Sequence, residues 1–258
     1  METQVSMQKK CRPAGWLSGL FFIFLLSACQ YGSDMGSDFS SGEGTGGSMA
    51  RFTITANHLY IVDHTSLKVF NLNNAQKPEF LGTRNIGFNI ETIFPFNQNL
   101  FLGTSTGMYI YDIKIPENPQ KISFYAHVYS CDPVVSDGKY AYVTLSSANQ
   151  LCWRATNELQ IIDLQNLQLP SLLAQYTMTQ PRGLAVRNDT LWVCDQGLKI
   201  YDVRNKQQIK LLHHFKNILA YDIILKNKLA LVSGETGFVQ YTLSNDSIKK
   251  LSEIKVFN

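Results

Sequence analysis

A six-residue strand motif returns five times between residues 67 and 243. It reads Leu67-Lys68-Val69-Phe70-Asn71-Leu72, then Met108–Ile113, Leu159–Leu164, Leu198–Val203 and, in a worn last copy, Phe238–Leu243. Four copies close on Asn or Asp followed by an aliphatic residue, and the last has Thr242 in that place. A strand-like run stands before each motif, another before that, and a fourth follows. The joins carry residues that accept left-handed backbone, such as Ala56-Asn57, Asp137-Gly138, Asn188-Asp189 and Asn227. Units of roughly 40 residues, each holding four short strands, are the pattern of propeller blades. No helical period of apolar residues lasts long enough to compete. The sequence therefore predicts an all-β, five-bladed β-propeller of four-stranded antiparallel blades over residues 50–258. Each unit reads as complete, so the ring is expected to close by packing of the first blade on the last.

What precedes residue 50 has a different character. Lys9, Lys10 and Arg12 lead into the apolar run Trp16–Leu26, which is too short to span a bilayer and has the length of a signal-peptide core. The run ends at Leu26-Ser27-Ala28-Cys29, the pattern of a lipobox, which predicts cleavage after residue 28 and lipidation of Cys29. Residues 1–28 read as the signal peptide. Residues 29–49 read as the lipidated cysteine and a Gly/Ser-rich tether that cannot bury enough apolar surface to order itself. Gln30 rather than Asp after the cysteine favours the outer membrane. The predicted location is thus the cell envelope, held to a membrane by an N-terminal lipid. The formal net charge of +3 owes most of its excess to the signal region, and a near-neutral body has no electrostatic footprint for nucleic acid.

The repeated motif resembles the LVIVD repeat of exported bacterial and archaeal proteins, most closely in Leu159–Leu164 and Leu198–Val203, with Tyr140-Ala141-Tyr142-Val143 matching the strand upstream. Asn71 and Thr242 depart from its Asp. The resemblance implies a β-propeller at the cell surface with a binding or scaffolding role, and it brings no catalytic residues.

In a propeller the entry to each first strand and the loop between second and third strands open on one face. Here the first set holds Glu91, Asp132, Arg182, Tyr221 and Asp222, and the second Asp63, His64, Thr104, Asp195, Gln196 and Glu235. Acids around Arg182 make a candidate ligand site, although carboxylates in such loops also cap backbone N–H groups. An insertion over residues 146–157 lengthens the third unit and carries Trp153 and Arg154, a pairing common in binding anchors. Cys131 and Cys152 could form a disulfide in an oxidising envelope, and Cys194 reads as a small core residue. His58, His64, His127 and the adjacent His213-His214 lack metal-ligand spacing, no Gly-x-Ser-x-Gly elbow is present, and no cofactor is indicated. The leading expectation is a non-enzymatic binding or scaffolding module for an envelope protein or glycan. The alternative is a hydrolase or lyase acting on carbohydrate through channel-mouth carboxylates, for which blades of this size leave only short loops.

Overall fold

A computed structural model describes residues 46–127, 133–147, 156–244 and 247–256. Twenty strands form five four-stranded antiparallel sheets. Blade 1 holds β1 (Phe52–Thr55), β2 (His58–Val62), β3 (Ser66–Asn71) and β4 (Glu79–Asn85). Blade 2 holds β5 (Ile90–Phe96), β6 (Asn99–Thr104), β7 (Gly107–Asp112) and β8 (Gln120–Ala126). Blade 3 is β9 (Val134–Ser136), β10 (Tyr140–Leu145), β11 (Glu158–Asp163) and β12 (Ser171–Thr177). Blade 4 is β13 (Pro181–Arg187), β14 (Thr190–Asp195), β15 (Leu198–Asp202) and β16 (Lys210–Phe215). Blade 5 is β17 (Ala220–Lys226), β18 (Leu229–Gly234), β19 (Gly237–Ser244) and β20 (Ser247–Lys255). The protein is a five-bladed β-propeller, as the repeat predicts.

The motif that betrays the repeat forms the third strand of every blade, and the structure explains its sequence. In all five blades the ladder to the fourth strand slips between the motif's third and fourth residues: Val69/Phe70, Ile110/Tyr111, Ile161/Ile162, Ile200/Tyr201 and Gln240/Tyr241. The polar residue near its end is a turn device. Asn71, Asp112, Asp163 and Asp202 each accept a hydrogen bond from the backbone N–H two residues on, at 2.7–2.9 Å. Such a turn needs only a short side-chain oxygen, so Asn71 serves as well as Asp. At the hairpin joins, Asn57, Asn97, Asn188 and Asn227 all have positive φ.

Alternate residues along the strands bury against neighbouring blades. Val62, Leu67 and Val69 of blade 1 meet Ile93, Leu100 and Leu102 of blade 2. Phe101, Met108 and Ile110 of blade 2 meet Val134, Val143 and Leu145 of blade 3. Tyr142, Leu159 and Ile161 of blade 3 meet Leu184, Leu191 and Val193 of blade 4. Trp192, Leu198 and Ile200 of blade 4 meet Ile223, Ala230 and Val232 of blade 5. Each buried side chain of this size contributes about 1.5–3 kcal/mol.

The fifth boundary differs from expectation. Among the described residues no buried cluster joins blade 5 to blade 1, and no strand pair across it packs as the inner strands do elsewhere. The N-terminal segment Gly46–Ala50, assigned by composition partly to the tether, bridges the centre instead. The Ser48 hydroxyl donates to Asp222 Oδ1 at 2.8 Å on β17 and accepts from Leu184 N at 2.8 Å on β13. Ala50 O accepts from Ile93 N at 2.9 Å on β5. Innermost strands carry backbone groups with no neighbouring strand to pair with, and this segment satisfies two of them.

Gly183 on β13 lets blade 4 approach blade 5 closely, since a Cβ there would stand 2.2 Å from Asp222 Oδ1 and 2.7 Å from Asp222 Cα. Gly183→Ala is expected to cost about 1–3 kcal/mol through forced displacement of β17, read as a lower Tm in thermal unfolding. An unchanged Tm would mean that the blades are not locked at this point.

Candidate functional site

The starts of the inner strands and the loops between second and third strands share one end of the propeller, called the upper face below. Three inner strands are bulged there. On β5 the register passes from Ile90↔Thr104 to Thr92↔Gly103, leaving Glu91 as the extra residue. On β13 it passes from Pro181↔Asp195 to Leu184↔Val193, so that Arg182 and Gly183 together oppose Cys194. On β17 it passes from Ala220↔Gly234 to Asp222↔Ser233, and Tyr221 is the extra residue. Bulges re-aim side chains beside functional sites. Glu91, Arg182 and Tyr221, chosen from sequence as loop residues, are thus the residues these bulges displace.

Arg182 and Tyr221 come together across the blade 4–blade 5 boundary. The guanidinium carbon lies 4.4 Å from the centre of the Tyr221 ring, a cation–π contact that fixes both side chains. They line a hollow of about 310 Å³ with Gln180, Cys194, Gln196 and Glu235. Gln180 and the Cys194 thiol are lining residues that the sequence did not mark. No local pattern distinguishes them, because the hollow exists only where two blades meet. Cys194 is buried, as expected of a core residue. Burial pushes its thiol well up and nearby Asp222 adds to this, while Arg182 opposes it.

The remaining acids divide by role. Asp195 is fully buried; it accepts from Gln180 N at 2.6 Å and pairs with Lys199 Nζ at 2.7 Å. It fixes the loop that carries Gln180 into the hollow. Asp63 accepts from Thr65 N, Ser66 N and Ser66 Oγ and pairs with Lys68 at 3.1 Å. These bonds, the one from Thr65 first, hold its carboxyl well below the usual range. Both are the loop-capping carboxylates that the sequence reading allowed for. Glu91 is half-buried on β5. Asp132, Trp153, Arg154, Cys131 and Cys152 lie outside the described residues.

Asp222 is not among the residues lining that hollow and stands at the tie between the N-terminal segment and blade 5. It accepts from Ser48 Oγ at 2.8 Å, Ile223 N at 2.9 Å and Met49 N at 3.2 Å. Burial pushes its carboxyl above the ordinary value, and the bonds from Ser48, Met49 and Ile223 offset part of that rise. Among the described residues no group of three or more His, Cys, Asp or Glu side chains is gathered to hold a metal ion.

No protein-family model matches the chain, and no curated protein matches its sequence. Solved structures do match. The periplasmic gluconolactonase of Pseudomonas aeruginosa superposes with a TM-score of 0.59 at 12% identity, over 78% of this chain and 68% of that one. A protein of unknown function from Desulfotomaculum acetoxidans gives 0.61 at 12%, over 78% and 68%. A candidate 6-phosphogluconolactonase from Bacteroides fragilis gives 0.59 at 10%, over 80% and 69%. The likeness is one of fold. It overturns the expectation of a purely non-enzymatic scaffold, which rested on the lack of a catalytic motif, on the LVIVD resemblance and on the small cleft that short loops would leave. A gluconolactonase shares this fold over 68% of its length, and the upper-face hollow falls within the size range of small-ligand sites.

The raised carboxyl of Asp222 gives a testable pH dependence. A pKa higher in the folded than in the unfolded chain means that the neutral form is favoured by folding. The contribution is complete below the ordinary carboxylate value of about 4 and is lost as pH rises through the raised one. Asp222→Asn keeps the site neutral throughout. Its Tm relative to wild type is expected to improve as pH rises from about 4 to about 8. A difference that is flat, or that falls, would show the carboxylate to be fully compensated by Ser48 and Met49.

Proposed function

We propose that the protein is a hydrolase of carbohydrate lactones working in the upper-face hollow between blades 4 and 5. The observation that carries this reading is the meeting of a cation, a carboxylate and two amides in one pocket: Arg182, Glu235, Gln180 and Gln196. A lactone needs these groups. Glu235 takes a proton from water as the water oxygen adds to the carbonyl carbon. The oxyanion that forms is held by Arg182 and the amide N–H groups of the glutamines. The ring C–O bond then breaks, the proton on Glu235 passes to the departing alkoxide, and an open-chain hydroxy acid leaves. Arg182 is kept in place by Tyr221, and Asp195 keeps Gln180 in place. The names of the gluconolactonase and the candidate 6-phosphogluconolactonase point to the same substrate class.

The test is acid release from gluconolactone and 6-phosphogluconolactone in weak buffer, corrected for spontaneous opening. Wild type is expected to accelerate at least one. Glu235→Gln should lower kcat by about 10²-fold or more, the usual worth of a general base. Arg182→Ala should lower kcat/KM, and unchanged melting curves would show both variants folded. A folded wild type with no acceleration on either lactone would sink the proposal.

The reading also includes the envelope address. The chain is an exported protein of the LVIVD-repeat type, anchored through lipid on Cys29, with its site facing the periplasm or the outside. Support comes from the lipobox pattern Leu26–Cys29 and from the periplasmic location in the name of one fold relative. Labelled palmitate is expected to enter the wild-type chain in a bacterial host and to be lost in Cys29→Ser. Equal labelling of both would move the anchor elsewhere.

A further inference from the structure

Among the described residues, two sheet faces of this propeller have no blade packed against them. On blade 5, residues pointing away from blade 4 are Ile224, Leu231, Phe238 and Ile254. They line a mainly apolar hollow of about 460 Å³, with Ser233, Gln240, Ser252 and, at its inner end, Asp222 as its polar members. Phe238 is 59% exposed and Ile254 is 71% exposed. On blade 1, residues pointing away from blade 2 are Phe52, Ile54, Leu59, Ile61, Phe70 and Phe80, as the register places them on one side. Phe52 is 57% exposed and Phe80 is 56% exposed, with Phe80 stacked 5.2 Å from Phe70. None of these ten residues belongs to a buried cluster.

We infer that blade 5 of one copy docks on blade 1 of a second copy. The packing that joins successive blades within the chain would thereby continue from one molecule to the next. The occupant follows from the construction of the ring. At four boundaries the face of one blade mates with the opposite face of its successor, apolar side chain against apolar side chain. The two uncovered faces are the remaining halves of that same type of interface, one of each kind, so every copy carries the complement of its neighbour. A second copy satisfies both chemistries without a further component. Four strands at about 4.8 Å spacing and about five residues long make a face of roughly 300 Å². One such contact is therefore small, on the scale of transient rather than permanent interfaces, and its occupancy depends on concentration. The contact joins two different faces, so it is heterologous: it closes into a ring or runs on, according to the rotation per copy.

The test places a photo-reactive phenylalanine analogue at position 238 of the full chain, in membranes of the producing bacterium. Illumination is expected to give an adduct of twice the chain mass, more abundant at higher expression, whose crosslinked peptides contain Phe52 or Phe80. Adding Phe52→Asp and Phe80→Asp should reduce that adduct at least tenfold. Both positions are exposed, so the double variant retains the four internal cores, and its melting curve checks this. A twofold-mass adduct that survives the double variant would place some other surface against blade 5 and overturn the proposal. Crosslinks confined to a single chain, attached to lipid, or joining a different protein would overturn it as well.

Discussion

A four-stranded sheet with apolar residues on both faces must be covered twice, and this requirement organises the molecule. Alternation sends Tyr60, Val62 and Val69 to one side of blade 1 and Leu59, Ile61 and Phe70 to the other. A flat stack would satisfy only the inner sheets. Arranging the blades around an axis lets each sheet meet the next, and four interfaces are filled with buried aliphatic and aromatic side chains. The same requirement explains why the fifth boundary stands out. Its two faces mix apolar with polar residues, Gln240 and Ser252 on blade 5 and Lys68 on blade 1, and the chain does not bring them together into a core.

The axis poses a second demand. Inner strands lack a neighbour on their central side, and burying their N–H groups without partners is costly. A short N-terminal segment meets it economically. One hydroxyl, that of Ser48, accepts from blade 4 and donates to the carboxylate of blade 5. Asp222 is thereby committed to holding the ring, whereas Glu235 lines the same pocket as Arg182 and is the carboxylate on which the proposed hydrolysis rests. Asp63 and Asp195 are likewise absorbed by loop construction. The acids on the upper face are therefore not interchangeable members of a ring around one arginine. Their hydrogen-bond partners separate those that build the face from those left to work on it.

The sequence by itself determined the repeat, the number of blades and the strands within each, because a period of about 40 residues and a two-residue alternation are local properties of the chain. It also marked Arg182, Tyr221 and Glu91, since their place at the entry to an inner strand could be read from the same repeat. Tertiary structure decided what these residues do. The bulges that displace Glu91, Arg182 and Tyr221 are register slips, invisible until two strands are paired. The hollow holding Arg182 beside Glu235 and Gln180 is made by two blades meeting, so its members lie up to 55 residues apart without a spacing rule. The tie from Ser48 to Asp222 spans 174 residues. A sequence rich in Gly and Ser reads as tether by composition, and only the unpaired N–H groups at the axis give its last residues a structural task.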